Sequence, residues 1–272
     1  MTKFFGTAAF YSILIITILI FIAFVVGYSG QTNSGNISPA ITSTAGVAIT
    51  FDDGFPDDWF AIRDLLKKYD AHVTFFVSDF ASLDEDQIDK LRTLQADGHE
   101  IAFHGYQHID ATEYLKNHSI SEYLDNQIIP GINLMKKQGF NPVNFAYPFG
   151  HGAQNHTLNQ ALHHYFLHIR GTENSWEKYP LKDITSVYYQ YGSNTSLIYG
   201  VGIDDVTYGN SLNDIYDCIS RAKEQDKILI LYAHDPVYTN PLNYQVSNER
   251  LEKILINVSQ NKLKFYTISE IN

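Results

Sequence analysis

The chain has 272 residues, 44% of them hydrophobic, enough to bury one large core or two modest ones. Its formal charge is −11 with histidine neutral, which argues against nucleic acid or a polyanion as partner, because phosphate binding needs a basic surface. The single cysteine, Cys218, excludes an intrachain disulfide and a thiolate metal cluster; in a helical stretch it reads as a small buried hydrophobe.

From Ala8 to Val26 no residue is charged, and only Tyr11, Ser12 and Thr17 interrupt the apolar run. That length spans a bilayer. Lys3 precedes it and no charge follows until Asp52, so the positive-inside bias puts Met1 in the cytoplasm and the remainder outside. The expectation is an uncleaved transmembrane helix within 1–27, a flexible tether over 28–45 rich in Gly, Ser, Thr and Asn, and a globular domain over 46–272. A cleaved signal peptide ending near Gly27 or Ser29 is the rival, and would give a secreted protein. Sequons at Asn36, Asn117, Asn155, Asn194 and Asn257 suit an exported domain.

Val47 to Phe51 is a run of β-formers that stops at Asp52 and Asp53, with Gly54 and Pro56 marking a turn. Apolar residues at helical spacing follow over Asp57–Tyr69. His72–Val77 predicts a strand, Asp84–Ala96 a helix and Glu100–Phe103 a strand leading to His104. Ser119–Gln138 predicts a helix kinked or broken at Pro130 and Gly131, and Val143–Ala146 a strand. A helix over Leu158–His164 and a strand over Tyr165–Ile169, ending at Arg170, come next. Ile184–Tyr191 and Leu197–Val201 read as extended. Helices over Ser211–Glu224 and Glu249–Gln260 alternate with strands over Lys227–Ala233 and Leu263–Ile268. Such alternation suits parallel crossovers and a closed or nearly closed β/α barrel, whose active site lies at the C-terminal strand ends. The residues there are Asp52, Asp53, Ser78, Asp79, His104, Tyr147, Pro148, Arg170 and His234. Ionisable groups therefore converge on one rim.

Alone, Asp52 and Asp53 read as a cap for the next helix. Two adjacent carboxylates, however, call for a nearby positive charge, and His104 and His108 supply a means of holding one. If the segment turns helically after the strand, both imidazoles point the same way and can share a metal. His164 and His168 repeat the spacing, but across a predicted helix–strand junction, and are read as structural or surface. Asp53, His104 and His108 then form a two-histidine, one-carboxylate site that suits zinc, with iron, cobalt or nickel as alternatives. Bound zinc brings the pKa of water down to about 7. Asp52 is left free as a general base, and His234, after an apolar strand, can donate a proton to a leaving group.

At these residues the chain resembles the polysaccharide deacetylase family, the NodB-homology domains of carbohydrate esterase family four. Thr50-Phe-Asp-Asp-Gly54 matches its first motif. His72-Val-Thr-Phe-Phe-Val77, Gly98-His-Glu-Ile101 with His104-Gly-Tyr-Gln-His108, Phe145-Ala-Tyr-Pro-Phe-Gly150 and Leu231-Tyr-Ala-His234 are similar to later ones, in order across 47–268. The resemblance implies a distorted barrel of seven or eight mostly parallel strands. It also implies metal-dependent removal of acetyl groups from an N-acetylated polysaccharide or oligosaccharide. Carried over, Asp52 is the base, Asp53, His104 and His108 are metal ligands, and His234 is the acid. The backbone N–H of Phe149, where the family usually has tyrosine, is an oxyanion donor.

Three departures stand out. Gly105 replaces the usual Ser or Thr between the histidines. Ala146 stands where the family often has an arginine that orients the aspartate, and Arg170 is expected to supply that charge. No recognisable motif carries the aspartate that tunes the acid histidine; Asp183, Asp204 and Asp205 are candidates, with Trp176 in a suitable region. A non-catalytic glycan-binding surface protein and a hydrolase of non-sugar amides are the alternative functions.

Overall fold

Strand β1 (Gly46–Asp53) is buried along nearly its whole length, as a run of Val, Ala, Ile, Thr and Phe without alternation requires. It belongs to a computed structural model that describes residues 43–173 and 179–272. The predicted transmembrane helix, the tether up to residue 42 and Trp176 lie outside the described residues. Among those described, no helix is long and apolar enough to cross a membrane. Ser43–Asn272 forms one compact unit.

After β1 come β2 (Thr74–Val77), β3 (Glu100–Phe103), β4 (Asn144–Ala146), β5 (His168–Thr172), β6 (Tyr188–Tyr189), β7 (Leu197–Gly202) and β8 (Ile228–Ala233). Then follow β9 (Asp235–Val237), β10 (Gln245–Ser247) and β11 (Lys264–Phe265). β1, β2, β3, β4, β5, β7 and β8 pair in parallel in that order, and β1 also pairs with β8. The result is a closed barrel of seven parallel strands. β11 runs beside β1 outside the ring, and β6 adds to β8 in antiparallel fashion. The seam between β3 and β4 is thin, with Phe103↔Phe145 as its register pair.

Strand alternation divides the core in two. Ala48, Phe76, Ala102, Ala146, Ile198 and Ile230 face the barrel interior, while Val47, Phe51, Phe75, Phe103 and Leu231 pack outward under the helices. The helix Leu212–Glu224 shows how a covering helix is specified. Ser211 and Asp214 form a capping box, and Ile215, Cys218, Ile219 and Ala222 make its buried stripe. Burial pushes the Cys218 thiol up to about 11, so it stays protonated and serves as core.

Several predicted boundaries shift. The first helix is two, Pro56–Ala61 and Arg63–Lys68, hinged at Ile62. The helix carrying Pro130 is not broken: Ile120–Tyr123 passes through a π-helical segment, Leu124–Ile128, into Ile129–Lys137. Widening the turn accommodates a residue that lacks an N–H and crowds the preceding carbonyl. The strand predicted at Tyr165–Ile169 starts at His168, because Tyr165 N and Phe166 N still donate to Leu162 O. Within Ile184–Tyr191 a 3₁₀ turn, Thr185–Val187, leads into the short strand β6, and only Lys264–Phe265 of the predicted last strand is extended.

The lower end of the barrel is plugged by the C-terminal turn. Ser269 N and Oγ donate to Glu100, which also accepts from Thr74 Oγ1 at 3.0 Å and from Asn144 Nδ2. His168 is buried there, its Nδ1 at 3.0 Å from Thr195 O, whereas His164 is exposed in the preceding turn. Those two imidazoles do not share a site.

Candidate active site

The strand ends gather Asp52, Asp53, His104, His108, Phe149 and His234 around one cavity of about 380 Å³. β1 ends with Asp52 pointing into the barrel, and the chain then turns through Asp53 at φ 83. A non-glycine residue is uncommon there, and Gly54 follows to complete the turn. This backbone sends the two adjacent carboxylates in different directions: Asp53 joins the histidines and Asp52 faces the interior.

His108 Nε2 lies 2.9 Å from Asp53 Oδ1 and His104 Nε2 lies 3.4 Å from the same oxygen. One ligand atom from each of the three residues falls within 4.8 Å of the others. The imidazoles do not converge through a helical turn, as the spacing suggested. The loop instead passes Gly105 at φ 92 and His108 at φ 47, leaving the ring centroids 5.0 Å apart. Gly105 suits this path: a Cβ there would stand 3.2 Å from Pro148 Cγ, on a backbone side chains rarely adopt. His104 is buried, with Nδ1 2.9 Å from Ala146 O. A carbonyl only accepts, so Nδ1 carries the proton and Nε2 presents its lone pair to the cluster. The donor set, its tautomer and its spacing fit a divalent cation. Burial alone would raise the Asp53 carboxyl, but the two histidines outweigh it and hold it well below the usual carboxylate range.

Asp52 is almost fully buried, and Arg170 Nη2 donates to its Oδ2. Arg170 is the register partner of Ala146 on the adjacent strand. The small side chain on β4 leaves the interior open at that level, and the guanidinium arrives from β5 instead. It lies over the rings of Tyr232 and Phe76, at 4.9 and 5.4 Å from their centroids. Asp52 Oδ1 is buried with no hydrogen-bond partner. Such an atom is costly unless something visits it.

His234 follows β8, and Asp204 follows β7. Asp204 Oδ1 accepts from His234 N at 3.1 Å, and its Oδ2 lies 2.6 Å from His234 Nδ1. Burial would depress this imidazole, but Asp204, aided by the charges of Asp52 and Asp53, raises it above its ordinary 6.5. Asp205 instead accepts at 2.6 Å from the N–H of Ser247, the residue that caps the helix Asn248–Gln260, and Asp183 pairs with Arg221 on the surface. Phe149 sits at φ 60, and its N–H takes no part in the turn's hydrogen bonds, Gly150 N to Tyr147 O and His151 N to Pro148 O.

Sequence reasoning missed Tyr208, Tyr232, Tyr244, His151 and Thr172, which also line the cavity. Tyr232 and Thr172 could have been found, since both lie near the ends of barrel strands. Tyr208 and Tyr244 belong to irregular loops with no periodic signal.

The C-terminal mouth of the parallel barrel thus carries an Asp-His-His cluster that could hold a metal ion, beside an arginine-bound aspartate and an aspartate-bound histidine. Residues 41–168 match the family model described as polysaccharide deacetylase. That match covers just under half of the chain and includes Asp52, Asp53, His104 and His108. Among solved structures it resembles the chitin deacetylase of the fungal pathogen Colletotrichum lindemuthianum, at 20% identity and a TM-score of 0.55, over 85% of this chain and 88% of that one. A Streptococcus mutans CE4 esterase is 15% identical with a TM-score of 0.54, over 82% and 86% of the two chains. A family 4 carbohydrate esterase from Streptomyces lividans is 17% identical with a TM-score of 0.52, over 84% and 95%. These likenesses establish the fold. A Bacillus sp. gellan lyase is 34% identical over 130 residues, 47% of this chain but 5% of that protein's length.

Proposed function

We propose that the chain is a metal-dependent N-deacetylase of an extracellular glycan. The observation that carries this reading is the single cavity holding the Asp53–His104–His108 cluster, the unpartnered Oδ1 of Asp52 and the Asp204-bound His234. Asp53, His104 and His108 would hold the cation, zinc being the best match to their donors. When bound, the cation supplies Lewis acidity and activates water at neutral pH.

This chain's residues do the rest. Asp52 takes the proton of the attacking water on Oδ1, while Arg170 holds Oδ2 and so fixes the carboxylate plane. The Phe149 N–H donates to the oxygen that becomes anionic when the acetamide carbon turns tetrahedral. His234, whose protonated form Asp204 stabilises, donates from Nε2 to the amine nitrogen as the carbon–nitrogen bond breaks. Acetate and a free amino sugar result. The lack of an arginine at position 146 motivates a non-catalytic reading, but Arg170 leaves Asp52 with a cation, which favours catalysis.

The uncharged stretch Ala8–Val26 supports a domain tethered to the cell membrane and working outside the cytoplasm. Acetate release from N-acetylglucosamine oligomers, beside simple linear and cyclic amides, tests the activity before and after chelation. Release from the oligomers that stops on chelation and returns with zinc is expected. No release from any N-acetylated oligomer with metal restored would sink the reading, and release from simple amides alone would move it to a non-sugar substrate.

A further inference from the structure

Four non-glycine residues lining the cavity have positive φ: Asp53, His108, Phe149 and Tyr244, at 83, 47, 60 and 58°. The first three are two of the three candidate ligands and the candidate oxyanion donor. Backbone strain in non-glycine residues collects where geometry is held for function, which draws attention to the fourth. Tyr244 lies between β9 and β10, beyond every motif of the sequence reading. Its backbone is pinned on both sides: its N–H donates to Thr207 Oγ1 at 2.5 Å, and its carbonyl accepts from Asp235 N at 3.2 Å.

The residue is 55% exposed, so core packing does not account for it. It lines the cavity, and its ring meets that of His234 in a T-shaped contact, centroids 5.2 Å apart and planes at 77°. Phe149 repeats the arrangement on the ligand side. It is 56% exposed, and its ring lies 4.6 Å from that of His108. An exposed aromatic therefore stands beside the acid, and another beside the metal ligands, each on a strained backbone that fixes its direction.

We propose that Tyr244 is a specificity-determining residue whose ring packs against the sugar bearing the acetamide, on the side where the amine departs. The inference rests on the deacetylase reading and adds the residue that selects a sugar ring over a bare amide. Aromatic rings offer an apolar face to the C–H side of a pyranose at little entropy cost, and the fixed backbone removes much of the remainder.

The test uses Tyr244→Asn, because asparagine tolerates positive φ and keeps the loop path while deleting the ring. Tyr244→Phe keeps the ring and removes only the hydroxyl. Both are compared with the unsubstituted chain on N-acetylglucosamine oligomers and on a small aryl acetate, with zinc present. For Tyr244→Asn the KM for oligomers should rise about tenfold, so the oligomer-to-ester ratio of kcat/KM falls by a similar factor. Tyr244→Phe should restore most of the ratio. An equal fall on both substrates, or an unchanged oligomer KM in Tyr244→Asn, overturns the inference. Failure of the unsubstituted chain to act on any oligomer is the separate result that removes the deacetylase reading.

Discussion

The two ends of the barrel carry similar polar side chains to opposite effect. At the lower end Glu100, Thr74, Asn144 and Ser269 satisfy one another, and the C-terminal turn seals them in. At the upper end Asp52 Oδ1 and the Nε and Nη1 atoms of Arg170 are buried without hydrogen-bond partners. The fold therefore closes a polar network where it needs a plug and leaves one open where it needs a reagent.

The largest expected effect comes from the open network. Asp52→Asn removes the proton acceptor but none of the cluster, so kcat for acetate release should fall by about 10²–10⁴ while bound metal is retained. Full turnover, or loss of the metal, would break the division of labour between the two adjacent aspartates. Arg170→Ala leaves a buried carboxylate alone; denaturant unfolding should show a loss of about 3–5 kcal/mol together with a fall in kcat. A stable, fully active variant would mean that Asp52 needs no orienting cation.

Asp204→Asn tests the acid. His234 must be protonated to act, so activity is lost as pH rises through its raised value; without the Asp204 charge that alkaline limb should move to lower pH. An unmoved limb would assign it to another group.

The closed network should answer in stability alone. Glu100→Ala deprives several donors of their acceptor, and should cost about 1–3 kcal/mol in unfolding while kcat stays as it was. The last effect is confined to acid and belongs to His99, also at the lower end, which burial pushes down to about 4 from 6.5. Below pH 6.5 the unfolded chain takes up a proton that the folded chain refuses, so stability declines as pH falls and levels off near 4. Thermal unfolding against pH should show that slope, flattened in His99→Gln.

Much of this was legible in the sequence because barrels write themselves locally. The alternation of strand and helix, and the rule that chemistry sits just after each strand, place Asp52, His104, Arg170 and His234 on one rim. What remained hidden depends on contacts across the ring. Asp204 could not be separated from Asp205, because neighbours in a loop point apart and only the strand beside them decides which meets His234. The convergence of His104 and His108 was anticipated, but by way of a helical turn; Gly105, already noted as a departure, was the clue to a left-handed path instead. The continuous helix through Pro130 and the late start of β5 are boundary effects that periodicity does not resolve.

The thin seam between β3 and β4 gives the His104–Ala146 hydrogen bond a second duty. It joins the strand ends just above the one register pair that holds them, so the bond that sets the ligand's tautomer also laces the barrel shut. A cation held by the proposed cluster would fix His104 and with it the stave behind. Chelation should therefore speed amide exchange along this seam before it disturbs the opposite side of the ring.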